Sequence, residues 1–290
     1  CRSAGLTQAD FYYPVPDHRM PISVYSDRYL PGKGEITSSS VSYDSPRYAC
    51  LNEEEVFDRL IEEEDFGRFS NSFLIIASRD GGQENTIFAK YNRTRREEFR
   101  IRTSIRELEG ERRVEKAALG RAGSIHILSL RKKYQQLSRL NPRVRILEPE
   151  ISVDGSKVEF RYLKGITLAE RLGQGIRDGK APVEDIKAGL AFLYDVPEDQ
   201  IVPFAVTPEF TDIFGTVPDL EDFSYKVSNI DGLFENLMIT EMDGREQLYC
   251  LDYEWVFDFP VPARFVQYRN LAYFYYKYQG LMSYSSLEEF

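Results

Sequence analysis

Apolar and polar positions change their period along the chain, and the changes divide it. From residue 70 to about 118, SFLIIAS, TIFAKYN, FRIRTSI and RRVEKAAL are short β-rich runs separated by the polar turns RDGGQEN, RTRREE and ELEGE. Runs of this length bounded by turn residues predict strands, here an antiparallel meander. RAGSIHILSLRKKYQQLSRL then predicts a helix that ends before Asn141-Pro142, because a residue preceding proline is driven out of the helical region. VRILEPEISV and SKVEFRYL follow as two strands joined at Asp154-Gly155, a hairpin turn signal. Beyond Gly165 the period turns helical in TLAERLGQGI and VEDIKAGLAFLYDV, and FVQYRNLAYFYYKY predicts a last, aromatic helix. Strands first and helices after predict an α+β chain in two lobes.

The beginning reads differently. Pro14, Pro16, Pro21 and Pro31 punctuate a Tyr-rich stretch, which favours extended structure and forbids a long helix. Residues 37–46, TSSSVSYDSP, read as a linker. After it Asn52 caps an acidic helix, EEEVFDRLIEEEDF, with Val56, Leu60 and Ile61 as its apolar positions.

Charge alters the picture in one respect. Lys+Arg 37 against Asp+Glu 47 gives a net charge of −10, which disfavours a general nucleic-acid binder. Yet 16 of the Lys and Arg residues fall between Arg93 and Arg145, so the acidity belongs to the rest of the chain. No apolar run reaches the roughly 18–20 residues needed to cross a bilayer, so no transmembrane segment is expected. Three cysteines and no signal-peptide pattern predict a cytoplasmic setting without a disulfide framework. Two histidines leave little scope for His-rich metal sites.

Candidate chemistry concentrates in SNIDGLFENLMITEMDGREQLYCLDYEW, residues 228–255. The strands LMITE and EQLYCLDY flank an Asp243-Gly244 turn. A two-residue loop there pairs residues whose numbers sum to 487. Asn236 then faces Leu251, Asp252 faces Glu235, and both Asn236 and Asp252 emerge at the open end of the hairpin. Asp231 lies in the loop leading in. An Asn and an Asp supply hard oxygen ligands for Mg²⁺, which takes few protein groups plus substrate phosphates. The remaining Asp is free to orient or deprotonate a hydroxyl. D-x-x-x-x-N before a hairpin that ends in Asp is a phosphoryl-transfer layout. The structural alternative is an Asx-rich loop in which Asp231 caps and Asp252 forms a turn.

On these residues the chain resembles the protein-kinase-like phosphotransferases, the broad group that includes aminoglycoside and other small-molecule kinases, over about residues 66–290. More narrowly it is similar to the C-terminal kinase-like domain of bacterial methyltransferase–kinase fusions that modify surface polysaccharides. The matching phrases are FSNSF (69–73), AKYNRTRR (89–96), VEKAAL (114–119), SNID with FEN, and DYEWVFDFPVP (252–262). The stretch AGLTQADFYYPVPDHRMP is similar to the closing strands of a class I S-adenosylmethionine-dependent methyltransferase. The resemblance implies a bilobal kinase-like fold: residues 1–45 as the tail of an upstream methyltransferase domain plus linker, 46–165 as a β-rich N-lobe, and 166–290 as a helical C-lobe carrying the catalytic hairpin.

It also implies roles. Asp231 matches the catalytic-loop aspartate that orients the acceptor hydroxyl; Asn236 and Asp252 match the two Mg²⁺ ligands. Lys116, or alternatively Lys90, matches the strand lysine on the ATP phosphates. Arg93 and Arg96 stand on the turn that would cover those phosphates, and Tyr162 and Leu163 in the hinge that would meet the adenine. ATP and Mg²⁺ are the implied cofactors, a sugar or surface glycan the acceptor, and the upstream methyltransferase domain a partner in the same chain. The pattern departs from the family in Asn-Ile-Asp before the loop, in Tyr-Glu after Asp252, and in an arginine-rich turn where a glycine-rich one is usual. A non-catalytic nucleotide- or glycan-binding module that scaffolds the methyltransferase is therefore the competing expectation. Glu254 and Trp255 are candidates for the acceptor side and Asp258 for bracing the loop, with a core Trp and a paired Glu as the plainer reading.

Overall fold

The computed structural model describes residues 5–36, 51–79, 85–180, 182–217, 220–282 and 286–289. The expected linker 37–46 lies outside the described residues, as do Cys1 and Cys50. In chain order the elements are β1 (Gln8–Val15), β2 (Ser23–Ser26), α1 (Glu53–Glu62), α2 (Phe66–Phe69), β3 (Leu74–Ser78), β4 (Thr86–Tyr91), β5 (Ile101–Leu108), β6 (Glu111–Ala118) and α3 (Ser124–Leu137). Then come β7 (Val144–Ile146), β8 (Glu150–Ile151), β9 (Lys157–Arg161), β10 (Ile166–Thr167), α4 (Leu168–Arg177), α5 (Pro182–Tyr194), β11 (Ile201–Pro203) and α6 (Pro208–Phe214). The chain closes with β12 (Phe223–Tyr225), β13 (Ser228–Asn229), β14 (Leu237–Met242), β15 (Arg245–Cys250), β16 (Val256–Phe257) and α7 (Ala263–Tyr278). The architecture is mixed α and β, as the alternation of periods predicts.

These elements form two compact units: Cys1–Ile127 with Glu150–Tyr162, and Leu128–Pro149 with Leu163–Phe290. The first unit is built on an eight-stranded sheet in the order β3-β1-β2-β4-β5-β6-β9-β8. β4, β5 and β6 form the expected meander, but SFLIIAS does not join it. β3 instead pairs β1 through Gln8↔Ser78 to Tyr12↔Leu74, and β2 takes the place beside β4. Gln8–Val15 and Ser23–Ser26, within the stretch expected to belong to an upstream tail, are thus hydrogen-bonded strands of this sheet. Tyr13, Tyr25, Ile36, Phe57 and Phe66 pack into one core cluster with Leu60, Ile61 and Phe88 against it. The acidic helix α1 therefore buries Phe57, while Val56, expected on its apolar face, is exposed. Edge-on ring contacts such as Tyr13 on Phe66, at 5.8 Å between centroids, fit the quadrupole preference of aromatic pairs.

VRILEPEISV does not form one strand. It splits into β7 and β8, which belong to different sheets, and between them stands Pro149, which has no N–H to donate to a ladder.

The second unit holds a four-stranded sheet, β10-β14-β15-β7, with β15 and β7 parallel. Two small ladders, β11–β12 and β13–β16, accompany it. Helix α4 starts on a capping box: Glu170 N donates to Thr167 Oγ1 at 3.1 Å, and Thr167 N donates to Glu170 Oε2 at 2.6 Å. Gly165 is needed because a Cβ there would stand 2.0 Å from the Ile239 carbonyl oxygen across β10 and β14. Of the aromatic residues of α7, Phe274, Tyr275 and Tyr278 are buried, whereas Phe265, Tyr268, Tyr273 and Tyr276 are exposed, so the aromatic run supplies core only in part. Among the described residues no helix is long and apolar enough to cross a membrane.

Candidate functional site

The hairpin of β14 and β15 is where local sequence sets geometry most directly. Asp243 (φ 53°) and Gly244 (φ 70°) both adopt the left-handed conformation that a tight two-residue turn requires. The register runs from Met242↔Arg245 to Leu237↔Cys250, each pair summing to 487 as expected. Beyond the last pair, Leu251 N donates to Asn236 O at 2.9 Å, so the strands stay together up to the site.

Asp231 is buried, at 8% exposure. Its backbone N–H donates to Asn229 Oδ1 at 3.0 Å, an Asx turn that folds the loop back on itself. One oxygen of its carboxylate, Oδ2, accepts from Trp255 N at 3.1 Å. Asn236 Nδ2 donates to Asp231 O at 2.9 Å, which ties that side chain to the backbone of the loop. Asp252 Oδ1 accepts from Glu254 N at 3.3 Å. The structure thus brings Asp231, Asn236 and the 252–255 segment into one hydrogen-bonded group within the second unit.

Neighbouring residues hold this group from behind. Asn270 on α7 donates from Nδ2 to Gly232 O and accepts from Phe234 N at Oδ1, each at 2.9 Å. Arg269 Nε donates to Ile230 O at 2.9 Å. The Cys250 thiol donates to Asp252 O at 3.2 Å, and Asn229 Nδ2 lies 3.6 Å from its sulfur. Burial, with the Asp252 and Asp231 charges adding to it, pushes that thiol up to about 12. Asp258 braces helix α3, accepting from Lys132 at 2.6 Å and Gln136 at 3.3 Å. Glu254, a candidate for the acceptor side, is instead buried at 2% exposure.

The other predicted residues lie in the first unit, apart from Leu163, the first residue of the second stretch of the other unit. Lys90 and Lys116 stand on one face of the sheet, on either side of Thr103 in the row Lys90↔Thr103↔Lys116↔Val158. Lys116 is buried at 8% exposure, whereas Lys90 is exposed. Arg93 is exposed and lies over the Tyr91 ring at 4.9 Å; Arg96 is exposed too. Tyr162 stacks with Arg112, whose guanidinium is 5.8 Å from its ring. Glu115, adjacent to Lys116, is occupied by Arg102 at 2.6 Å, Lys157 at 3.2 Å and Arg106 at 3.6 Å.

Sequence reasoning missed Asn229, Asn270 and Lys133. Asn229 was findable, because Asn-Ile-Asp is an Asx-turn pattern. Asn270 and Lys133 carry no local signal. Lys133, on α3, is partly buried and its ammonium donates to the Glu254 carbonyl.

Among the described residues no group of three or more His, Cys, Asp and Glu side chains is placed to hold a metal ion. An Asn oxygen with an Asp carboxylate suits the hard, sparsely ligated Mg²⁺ that completes its shell with phosphate and water. The donor set of Asn236 and Asp252 therefore fits that ion by chemistry.

The sequence matches no family profile and no curated protein. Among solved structures the chain is similar to WaaP in complex with acyl carrier protein, at 12% identity over 65% of this chain and 71% of that one, with a TM-score of 0.35. It is also similar to the apoenzyme of macrolide 2′-phosphotransferase MphH from Brachybacterium faecium, at 13% identity over 64% and 70%, with a TM-score of 0.31.

Proposed function

We propose that the chain is a kinase-like phosphotransferase that uses ATP and Mg²⁺ to phosphorylate a hydroxyl of a sugar or surface glycan. In this reading it works in the cytoplasm as part of a longer protein with an upstream methyltransferase domain. The observation that carries the reading is the hydrogen-bonded group of Asp231, Asn236 and the segment beginning at Asp252, built at the open end of a tightly turned hairpin.

In this reading Asp231 orients the acceptor hydroxyl and accepts its proton. The Trp255 N–H fixes the carboxylate, and the Asn229 turn fixes the backbone that carries it. Asn236 and Asp252 would hold Mg²⁺, which when bound neutralises charge on the nucleotide phosphates. Lys116 or Lys90 would meet those phosphates, with Arg93 and Arg96 over them, and the backbone at Tyr162 and Leu163 would meet the adenine. Most of the rate gain in such a reaction comes from positioning and electrostatic stabilisation, not from covalent chemistry by the protein.

The test is ATP turnover and thermal stabilisation measured together. Asp231→Ala is expected to abolish turnover and to leave stabilisation by ATP with Mg²⁺ in place. Asp252→Asn is expected to lose the Mg²⁺-dependent part of that stabilisation. Unchanged turnover in Asp231→Ala overturns the assignment. Absence of any Mg²⁺-dependent stabilisation of the native chain favours a non-catalytic binding module.

A further inference from the structure

Three carboxylates, those of Asp231, Asp252 and the buried Glu254, stand in or next to one short stretch of backbone contacts. The cation facing them comes from elsewhere in the chain. Lys133 extends from α3 and donates to the carbonyl oxygen of Glu254. That carbonyl belongs to the peptide group joining Glu254 to Trp255. The N–H of the same peptide group is the one that donates to Asp231 Oδ2 at 3.1 Å. One planar amide therefore has an ammonium at its oxygen and a carboxylate at its N–H.

The physical consequence follows from amide resonance. A cation at the oxygen draws electron density from nitrogen through the partial double bond, which leaves the N–H more acidic and a stronger donor. Hydrogen bonds in such a chain strengthen one another by about 10–30% per bond. The amide is also fixed in place, because a trans peptide unit cannot rotate without losing both partners at once. The ammonium feels the whole group as well. Burial lowers the Lys133 pKa, and the Glu254, Asp231, Asp252 and Asp258 charges act in the opposite direction.

We propose that Lys133 is a positioning residue for Asp231, acting through the Glu254–Trp255 peptide group, which it holds and polarises so that its N–H fixes the Asp231 carboxylate. This deepens the phosphotransferase reading, since it concerns how the acceptor-orienting group is set, and its consequence for turnover rests on that reading. The bridge itself does not.

The chain contains a single tryptophan, Trp255, so labelling with ¹⁵N-tryptophan gives one backbone amide signal, and it is the amide in question. In the native chain that proton is expected downfield, as befits an N–H donating to a carboxylate. Lys133→Met should move it upfield by more than its linewidth, Lys133→Gln should move it part of the way, and Lys133→Arg should leave it near its native position. Lys133→Gln keeps a neutral donor of similar length and serves as the folded comparison if Lys133→Met does not fold. In ATP turnover with water as the acceptor, Lys133→Met or Lys133→Gln should lower kcat about 2–5-fold at little change in KM for ATP, the size that a modest weakening of one charged hydrogen bond produces. Lys133→Arg should restore kcat.

An amide signal that stays in place in both Lys133→Met and Lys133→Gln overturns the bridge, whatever the turnover. An amide that moves as described while no variant, nor the native chain, turns over ATP supports the bridge and removes the phosphotransferase reading instead.

Discussion

Asn270 gives the most direct test of how the site loop is held. Its side chain, 1% exposed, spans from α7 to the loop and serves two backbone groups, the Gly232 carbonyl and the Phe234 N–H, both at 2.9 Å. Asn270→Ala leaves a donor and an acceptor without this partner in a buried setting, where each such group costs about 1–3 kcal/mol. The two together amount to about 2–6 kcal/mol, from which the better helix propensity of Ala returns about 0.5 kcal/mol. For a body of about 150–250 residues, 1 kcal/mol corresponds to about 2–4 °C, so Tm should fall by on the order of 10 °C. Trp255 fluorescence during urea unfolding reports on this unit specifically, because it is the only tryptophan and lies beside the loop. Asn270→Asp retains the acceptor for Phe234 N–H and sets a carboxylate oxygen against the Gly232 carbonyl, so it should be no better than Asn270→Ala. Tyr276→Ala, exposed on the same helix, is the control and should change stability by less than about 0.5 kcal/mol. If Asn270→Ala costs no more than that control, the clamp carries no energy and the reasoning fails.

Three further outcomes follow from the same structure. Burial alone raises the Glu115 pKa, but hydrogen bonds and charge from Lys157 and Arg102 bring it below its ordinary 4.5, so its stabilisation is present above that value and lost as pH falls through the lowered folded one. The Tm advantage of the native chain over Glu115→Gln should therefore shrink from pH 7 to pH 3, and a constant difference contradicts the ion cluster. Cys250, buried and with its thiol pushed up to about 12, should resist iodoacetamide at pH 8 until denaturant is added, as read by peptide mass spectrometry; native labelling would contradict its burial. Gly165→Ala should destabilise by about 1–3 kcal/mol, since its Cβ meets the Ile239 carbonyl, whereas Gly280→Ala meets nothing within 4 Å and should be nearly silent in the same unfolding assay.

What could be read from the sequence was whatever is decided over a few residues. Asp243-Gly244 fixes the hairpin register because only a left-handed pair closes a two-residue turn, and the relative placement of Asn236 and Leu251 follows. Five helices, all the described ones but α2 and α6, were legible for the same reason, through period and through stops such as Asn141-Pro142. Pairing partners were not. LIIAS has a strand's composition whether it neighbours β4 or β1, and period carries no information on which. The long-range holders of the site were hidden too: Asn270 reaches back 38 residues to Gly232, and Lys133 reaches 121 residues forward to Glu254. A lysine on a mid-chain helix is read as surface until its partner is seen. Val56 and Phe57 show a smaller version of this, since adjacent apolar residues on a helix do not announce which one faces inward.

The short β13–β16 ladder has a consequence in time. Ser228↔Phe257 and Asn229↔Val256 bring the two ends of a 30-residue stretch together, so the loop of Asp231, the hairpin and Asp252 are enclosed within a segment whose internal ladders close over short separations, while β7 and β10, which flank its hairpin, come earlier in the chain. Such a segment has little loop-closure entropy to overcome and is among the parts of a chain that organise quickly. Synthesis proceeds at about 5–20 residues per second and delivers this stretch before α7, the helix that carries Asn270. On a nascent chain the site loop thus takes its shape first and receives its clamp last.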